Sequence, residues 1–506
     1  MILPDLISAR AAENPNDVAI IFRDHPISYA ELHRRIQLCA GGLAGLGIKK
    51  GDTFAVMIRN SPEFIILAMA LSLLGGIVVP VNFLEKPDRI ALILNDAHAV
   101  GVLTGKEFYR HVATAAKKVP TLKHFFLREG EHKEFKEFST LMTGAPFSGH
   151  AEVGSDDLMM LLYTSGTTGL PKGVMLTHGN FIANAEQCRA AIHLERKDRF
   201  LCLLPLFHSF SWTTCAVLPF QIGASIVIIE SLLPFDPVIA AIWKYKITLF
   251  VAVPQIYSAL SAKIRGAKAM ILRLLNPVRL CISGAAPLAT KVHEGFEKTF
   301  GIKLLEGYGL TECSPVAAMN PEKGRRIGTV GKPLPGVAIE IRDDDGNLLA
   351  QGDVGEIWIR GANVMKGYFN KPKETADSLT SDGWLKTGDM GRFDADGYLS
   401  IVDRKKDLII IKGLNVYPGE VESVIAADET VKEVAVVGKT DPDTGEETIR
   451  AFVTAREGKT IDKTRIFALC RENLAAYKRP REVFVINEMP KNALQKILKK
   501  ELRARP

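Results

Sequence analysis

The sequence lacks what a secreted, metal-stapled or nucleic-acid-binding protein would carry. Its seven cysteines, at positions 39, 188, 202, 215, 281, 313 and 470, are odd in number and scattered, and no two form a Cys-x-x-Cys pair. That spacing offers neither a disulfide framework nor a zinc site, and it suits a reducing cytoplasm. No cluster of lysine and arginine alternates with aromatics as a nucleic-acid face does, and a net charge of +7 over 506 residues is modest. The same excess suits a polyphosphate substrate. The N-terminus, Met1-Ile-Leu-Pro-Asp5, has no basic stretch followed by an apolar core, so no signal peptide is indicated and a cytoplasmic location is expected.

Charge is also missing from residues 64–81, FIILAMALSLLGGIVVPV, a run long enough to raise the question of a membrane span. The punctuation points elsewhere. Pro62 opens the run and Gly75-Gly76 interrupts it, which reads as a buried helix over 62–74 and then a strand over 77–80. A helical pattern over 29–46 and a strand pattern over 54–58 precede it, and such alternation belongs to a layered α/β fold with no transmembrane span.

What the sequence does contain is Tyr163-Thr-Ser-Gly-Thr-Thr-Gly-Leu-Pro-Lys-Gly173, with three glycines, four hydroxyls and one lysine between Thr164 and Gly173. Glycines let the backbone turn and aim N–H groups at an anion, and the hydroxyls and Lys172 add donors. The apolar runs 158–162 and 174–176 flank the loop as strands. A Walker phosphate loop would end in Gly-Lys-Ser/Thr before a helix, and this one does not. A plain Gly/Thr surface loop is the competing reading.

Strand-like runs at 18–22, 54–58, 226–229, 249–253 and 280–283 alternate with helical segments over about the first 330 residues. From about Gly331 the texture becomes hairpin-rich, with turns at Asp343-Asp-Asp-Gly346, Asp382-Gly383 and Asp394-Ala-Asp-Gly397. No glutamate follows the Asp-x-Asp-Gly pieces at the twelfth position of a calcium loop, so they read as turns. Five consecutive charges, Asp403-Arg-Lys-Lys-Asp407, separate the strand runs 399–402 and 408–411. A helix from Glu420, strands at 434–437 and 450–454, a helix from Ile461 and a strand at 483–486 follow. The expected fold is mixed α/β and α+β. A large N-terminal domain over 1–402 holds layered sheets with helices and a β-rich subdomain from about 331. A small, mobile α+β domain covers 403–506, with a hinge at about 403–407.

Further constellations join the loop. Gly307-Tyr-Gly-Leu-Thr-Glu312 follows a strand run at 303–305; Glu312 offers Mg²⁺ the oxygen ligand it demands, and Tyr308 offers a flat face to a base. Ser283-Gly-Ala-Ala-Pro287 is small enough for a planar ring to approach its backbone. Trp384-Leu-Lys-Thr-Gly-Asp389 supplies a carboxylate suited to ribose hydroxyls, and Arg404 a cation for the same ribose or a phosphate. Each has a plain alternative: a core tyrosine, a turn aspartate, a solvated charge run.

Together, and in this order, these segments resemble the adenylate-forming superfamily of acyl-CoA synthetases, luciferases and peptide-synthetase adenylation domains. Ile401-Val-Asp-Arg-Lys-Lys-Asp407 and Gly413-Leu-Asn-Val-Tyr-Pro-Gly-Glu420 match it too, so the likeness runs from about residue 10 to Arg503. Medium- and long-chain fatty acyl-CoA synthetases are the nearest in kind. The resemblance implies two half-reactions: a carboxylate attacks the α-phosphate of MgATP to give an acyl-adenylate and pyrophosphate, and the thiol of coenzyme A then displaces AMP. It implies that Thr164, Ser165, Gly166, Thr167, Thr168, Gly169 and Lys172 hold the β- and γ-phosphates. Thr311 lies near the α-phosphate, and Glu312 binds Mg²⁺. Gly284, Ala285, Ala286, Glu306, Gly307, Tyr308 and Gly309 frame the nucleotide, and Asp389 and Arg404 hold the ribose. Lys406 falls at the hinge, and Lys412, Gly413 and Leu414 at the coenzyme A channel. Lys496 aligns with the lysine that neutralises charge in adenylation. There the chain departs from the usual Pro-Lys-Thr-x-x-Gly-Lys: it reads Pro490-Lys-Asn-Ala-Leu-Gln-Lys496, with Asn492 for threonine and Gln495 for glycine.

Pro205-Leu-Phe-His208 matches the family's aromatic-histidine motif at the acyl pocket and places Phe207 and His208 near the reacting carboxylate. Trp212 has the spacing of a gate tryptophan of some long-chain synthetases, and Thr213, Val253, Pro254, Tyr257, Gly307 and Gly309 complete the implied walls. No charged residue appears in these segments to meet an amino or second carboxyl group, which favours an apolar acid. Aliphatic, aryl and alicyclic acids all fit that description. An acyl-AMP ligase serving a carrier protein, a luciferase-like oxygenase and a nucleotide sensor without turnover are the other readings. Weak peripheral membrane contact and a homodimer stay open.

Overall fold

The structure is a computed structural model that describes residues 1–149, 152–165, 171–231, 236–264, 273, 276–411, 414–440, 447–492 and 496–505. Contacts divide the chain into two compact units, residues 1–338 with 359–385, and residues 339–358 with 386–506.

Two large sheets organise the first unit. One has nine strands in the order Lys332–Pro333, Val316–Met319, Lys303–Gly309, Leu280–Ser283, Leu249–Ala252, Arg199–Cys202, Ser225–Ile228, Val18–Phe22, His25–Ser28. Its centre is parallel: Leu249 lies beside Leu280, Leu280 beside Lys303, and Phe200 beside both Ile226 and Leu249. Strands covered on both faces read as continuous apolar runs, and Leu249–Ala252 and Leu280–Ser283 are buried at every position. The chain winds outward from Arg199–Cys202 to Ser225–Ile228 and then returns to the other side of Arg199–Cys202 with Leu249–Ala252. Strand order therefore reverses at Arg199–Cys202, and open α/β sheets bind ligands beyond the carboxyl ends of their strands at such a reversal.

The second sheet has eight strands, ordered Gly367–Tyr368, Pro171–Thr177, Leu158–Ser165, Ile77–Pro80, Thr53–Met57, Ala99–Thr104, His124–Leu127, Lys136–Glu137. The apolar run at 64–81 supplies a helix and one of these strands, as expected. Helix Pro62–Leu73 is buried along its length except at Glu63, Gly75 takes φ +71° to end it, and strand Ile77–Pro80 follows. Each fully buried Leu, Ile or Phe there contributes about 1.5–3 kcal/mol, which outweighs the missing amphipathic pattern. No helix among the described residues is long and apolar enough to cross a membrane. Helix Tyr29–Gly45 starts where the Ser28 hydroxyl accepts from the Glu31 amide at 3.2 Å. All seven cysteines are buried, and none forms a disulfide among the described residues.

The second unit holds most of a four-stranded sheet, Val337–Arg342, Gly355–Gly361, Leu385–Phe393, Leu399–Arg404. Its Asp-x-Asp-Gly pieces are turns: Asp343 accepts from the Asp345 and Asn347 amides, and Asp394 from those of Asp396 and Tyr398. Asp403 and Arg404, read from sequence as part of a break, complete the strand Leu399–Arg404, and only Lys405–Asp407 leave it, as a 3₁₀ turn. Beyond them Val431–Thr440, Glu447–Ala455 and Glu482–Val485 form a three-stranded sheet. Helices Pro418–Ala426 and Lys463–Asn473 share its core, through Val421, Ile425, Val436, Ala451, Ile466 and Cys470.

Candidate active site

Four of the segments singled out from sequence leave the carboxyl ends of four neighbouring parallel strands. Residues 203–213 follow Arg199–Cys202, Val253 to Tyr257 follow Leu249–Ala252, Gly284 to Pro287 follow Leu280–Ser283, and Tyr308 to Glu312 lie at or just past the end of Lys303–Gly309. They meet side by side. The Ser209 hydroxyl is 3.5 Å from that of Thr311, and the Thr213 hydroxyl donates to the Ser314 carbonyl at 2.5 Å. A Cβ at Gly284 would come within 2.8 Å of the Phe210 ring, and one at Gly309 within 1.8 Å of the Pro315 carbonyl oxygen. Close approach of backbone thus requires glycine at Gly309, while at Gly284 the Phe210 ring would have to turn aside. Ala285 has φ +66°, a left-handed conformation that costs a non-glycine residue about 1 kcal/mol and marks a tightly held loop. Glu306 braces that loop from below. Its buried carboxylate accepts from the Leu288 amide at 3.1 Å, and burial pushes its pKa up to about 7.

The phosphate-loop candidate is the end of a hairpin. Leu158–Ser165 pairs antiparallel with Pro171–Thr177, Thr164 opposite Lys172 and Ser165 opposite Pro171. Lys172 is therefore a strand residue rather than a loop residue, and its cation has a fixed root. Gly166, Thr167, Thr168 and Gly169 lie outside the described residues. The Lys172 Nζ stands 5.1 Å from the centroid of the Tyr368 ring. The Tyr368 hydroxyl donates to Glu312 Oε1 at 3.0 Å, so one side chain reaches both the ammonium and the carboxylate. Burial, followed by the neighbouring Glu312 charge, raises the phenol's pKa.

The candidate acyl residues lie in apolar surroundings. Phe207 stacks edge-on against Phe83 at 5.3 Å and lies 4.6 Å from the His208 ring. His208 Nε2 is buried with no hydrogen-bond partner among the described residues, and loss of solvent pulls the imidazole down to about 4. It is neutral at physiological pH. Trp212 is fully buried against Phe64, with its indole N–H also unpartnered among the described residues. Val253 and Tyr257 are buried as well, and the Tyr257 hydroxyl donates to the Phe250 and Ile282 carbonyls at 2.8 and 2.9 Å. Tyr257 therefore fastens two strands together from within the core.

In the second unit, Asp389 and Arg404 face each other across paired strands, Arg404 Nε 3.1 Å from Asp389 Oδ1. Lys496 shares that neighbourhood. Burial, then the Arg404 charge, lowers its pKa to about 8 against the pull of Asp389. The Lys496 amide donates to Asn492 Oδ1 and the Asn492 amide to the Lys496 carbonyl, both at 2.9 Å. Asn492 thus closes the turn that carries the lysine, where the related motif has threonine. Lys406 is likewise lowered, by burial first and Arg404 second. Leu414 is exposed on the hairpin Ile409–Ile411 with Leu414–Val416, while Lys412, Gly413 and Gln495 lie outside the described residues.

Residues 7–369 match the family described as AMP-binding enzyme, and residues 420–496 match the AMP-binding enzyme C-terminal domain. The chain is an AMP-binding enzyme. Among its curated relatives is a long-chain-fatty-acid–CoA ligase of Bacillus subtilis, 34% identical, the alignment covering 99% of this chain and 94% of the relative. Solved structures of like fold include the anthranilate CoA ligase AuaEII in complex with anthranoyl-AMP, with a TM-score of 0.91 and 26% identity over 100% of this chain and 97% of that one. Another is ATP-bound MatB from Rhodopseudomonas palustris, with a TM-score of 0.90 and 31% identity over 99% and 98% of the two chains.

Two parts of this AMP-binding enzyme's site escaped the sequence reading. Tyr368 carries no motif signal of its own, because its role depends on strand pairing with Val174, far away in sequence. Ser209, between His208 and Trp212, carries no motif signal either, and its hydroxyl stands 3.5 Å from that of Thr311. For a metal, Glu312 is a single carboxylate at the mouth of the strand ends, and no group of three or more His, Cys, Asp or Glu side chains is placed to hold an ion among the described residues. That fits Mg²⁺, which is held by one or two carboxylates and completes its shell with phosphate oxygens and water.

Proposed function

We propose that this enzyme activates an apolar carboxylic acid, a fatty acid in the first instance, with ATP and transfers the acyl group to coenzyme A. A carboxylate oxygen attacks the α-phosphorus, the P–O bond to the β-phosphate breaks and pyrophosphate leaves with the electron pair. The thiol sulfur of coenzyme A then attacks the acyl carbonyl, its proton passes to solvent, and AMP leaves. Such steps depend on positioning and charge neutralisation more than on a protein nucleophile. The observation that carries this reading is the convergence of four segments on adjacent strand ends at the sheet's reversal point, with Lys172 and Glu312 joined through Tyr368. The relatives named as CoA ligases support it.

In this reading the hairpin and Lys172 grip the β- and γ-phosphates, and Thr311 faces the α-phosphate. Glu312 holds Mg²⁺, which neutralises phosphate charge when bound. Gly284 to Ala286, Glu306 and Gly307 to Gly309 frame the adenine side, Asp389 and Arg404 take the ribose, and Lys496 neutralises charge during adenylation. Residues 403–407 act as the hinge of a small C-terminal domain, and residues 412–414 serve the thiol channel. Phe207, His208, Trp212, Thr213, Val253 and Pro254 line the acyl side. The unpartnered, neutral His208 marks where a polar acyl head would dock, and the buried Phe207 and Trp212 favour an apolar body behind it. A homodimer, a cytoplasmic location and weak peripheral membrane contact belong to the same proposal.

The test is a panel of aliphatic, aryl and alicyclic acids with MgATP, following pyrophosphate and AMP with and without coenzyme A. Coenzyme A-dependent AMP release with medium or long aliphatic acids is expected. Pyrophosphate release indifferent to coenzyme A would favour delivery to a carrier protein, and no turnover with any acid would reject the enzyme reading.

A further inference from the structure

Residues 362–369 run as a strap between the phosphate hairpin and the turn that carries Glu312. On one side Gly367 and Tyr368 pair with Met175 and Val174, and the Phe369 amide donates to the Gly173 carbonyl at 2.8 Å. On the other, the Met365 amide donates to the Glu312 carbonyl at 2.8 Å and the Asn363 side chain to the Cys313 carbonyl at 3.0 Å. The Ser314 hydroxyl donates to the Asn363 carbonyl at 2.8 Å. The backbone thus fixes the strap at both ends. The Tyr368 side chain, almost fully buried, then places its phenol on Glu312 Oε1 at 3.0 Å and its ring 5.1 Å from the Lys172 ammonium.

An ammonium and a carboxylate at close range attract each other, and more so where water is excluded. If Lys172 closed on Glu312, the carboxylate would lose its charge for a divalent cation and the ammonium its charge for phosphate. A ring face holds an ammonium without neutralising it. A phenol O–H occupies one acceptor site of a carboxylate and leaves its charge intact.

We infer that Tyr368 is a positioning residue for adenylation, a spacer that keeps the metal-binding carboxylate of Glu312 and the phosphate-binding ammonium of Lys172 apart and both available to MgATP. This rests on the function proposed above. Tyr368 acts through its two neighbours and bonds to neither substrate.

The test uses the full chain, with Mn²⁺ as the probe followed by electron paramagnetic resonance in the presence of ATP and no acid. Metal-free AMP binding by calorimetry is the reference. Tyr368→Phe keeps the ring and loses the phenol, so Mn²⁺ affinity in the ATP complex should fall roughly three- to tenfold, the range of one ordinary intramolecular hydrogen bond. Tyr368→Leu loses both contacts and should fall at least about tenfold, AMP binding staying within about twofold of wild type. Because the collapse needs the ammonium, the effects of Tyr368→Leu and Lys172→Ala should be less than additive. Wild-type Mn²⁺ affinity in Tyr368→Leu would overturn the inference, and so would an equal loss of AMP binding, which would mark a merely structural role. Wild-type protein that binds neither Mn²⁺·ATP nor AMP would instead sink the proposed function itself.

Discussion

The adenylation step should lose rate as pH rises through about 8, and Lys496 is the reason. Its pKa is drawn down to about 8 by burial and by Arg404, against the opposing charge of Asp389. If the protonated form is the active one, the protonated share of the free enzyme is roughly 90% at pH 7, half at pH 8 and roughly 10% at pH 9. An ordinary lysine would remain over roughly 95% protonated across that span. The value of kcat/KM for ATP reports groups of the free enzyme, so it should drop roughly tenfold between pH 7 and pH 9. The assay is acid-dependent pyrophosphate release without coenzyme A, which keeps the titration of the substrate thiol out of the profile. Lys496→Arg cannot be deprotonated in this range, so whatever rate it retains should be flat, and Lys496→Gln should be slow at every pH. Stability gives an independent check with a fixed sign. Between pH 8 and about 10.5 the unfolded lysine binds a proton that the folded one does not, so stability should rise with pH in that window, and less so in Lys496→Gln. A wild-type kcat/KM that stays level from pH 7 to 9 would refute the argument that this buried cation drives adenylation.

Four other substitutions have expected outcomes. Gly309→Ala drives a Cβ into the Pro315 carbonyl oxygen at 1.8 Å, backbone against backbone, so calorimetry should show a loss of about 1–3 kcal/mol and pyrophosphate release should fall with it. Gly295→Ala, in helix Thr290–Phe300 with nothing within 4 Å of the new Cβ, should instead gain up to about 1 kcal/mol. Lys172→Ala should raise the ATP requirement and slow adenylation by about tenfold or more while leaving thioester formation from supplied acyl-adenylate near normal, since that intermediate has no pyrophosphate to grip. Lys406→Pro, in the 3₁₀ turn Lys405–Asp407, should spare adenylation and block thioester formation in separate half-reaction assays; equal loss of both would remove the hinge assignment.

Much of the fold was legible because the chain buries its central strands on both faces. The runs read at 18–22, 77–80 and 280–283 coincide with Val18–Phe22, Ile77–Pro80 and Leu280–Ser283, and the glycine and proline punctuation around 62–76 resolved the charge-free run correctly. Strand order was not legible, because apolar runs in a parallel sheet are interchangeable in pattern: nothing at 199–202 announces that winding reverses there. For the same reason Asp403 and Arg404 looked like a break. Arg404 meets Asp389 across the ladder and Asp403 accepts from the Gly419 amide at 2.7 Å, pairings no local pattern carries.

The candidate site divides along the same line. Residues whose chemistry is their own, such as Lys172, Glu312 and Asp389, could be picked out by type and spacing. A residue that acts by holding others could not: Tyr368 matters because Gly367–Tyr368 is an edge strand added to Pro171–Thr177, and Glu306, named from the resemblance, shows its contact with the Leu288 amide only in the fold. The same logic accounts for the odd terminal motif. Asn492 and Lys496 exchange two hydrogen bonds, the Lys496 backbone amide donating to Asn492 Oδ1 and the Asn492 backbone amide to the Lys496 carbonyl, so the asparagine ties down the backbone that carries the lysine. Asn492→Ala therefore has a definite expectation. Losing the acceptor should loosen the turn and weaken adenylation several-fold, while Asn492→Asp, which keeps an acceptor and adds a charge beside the ammonium, should move the alkaline limb of the pH profile upward.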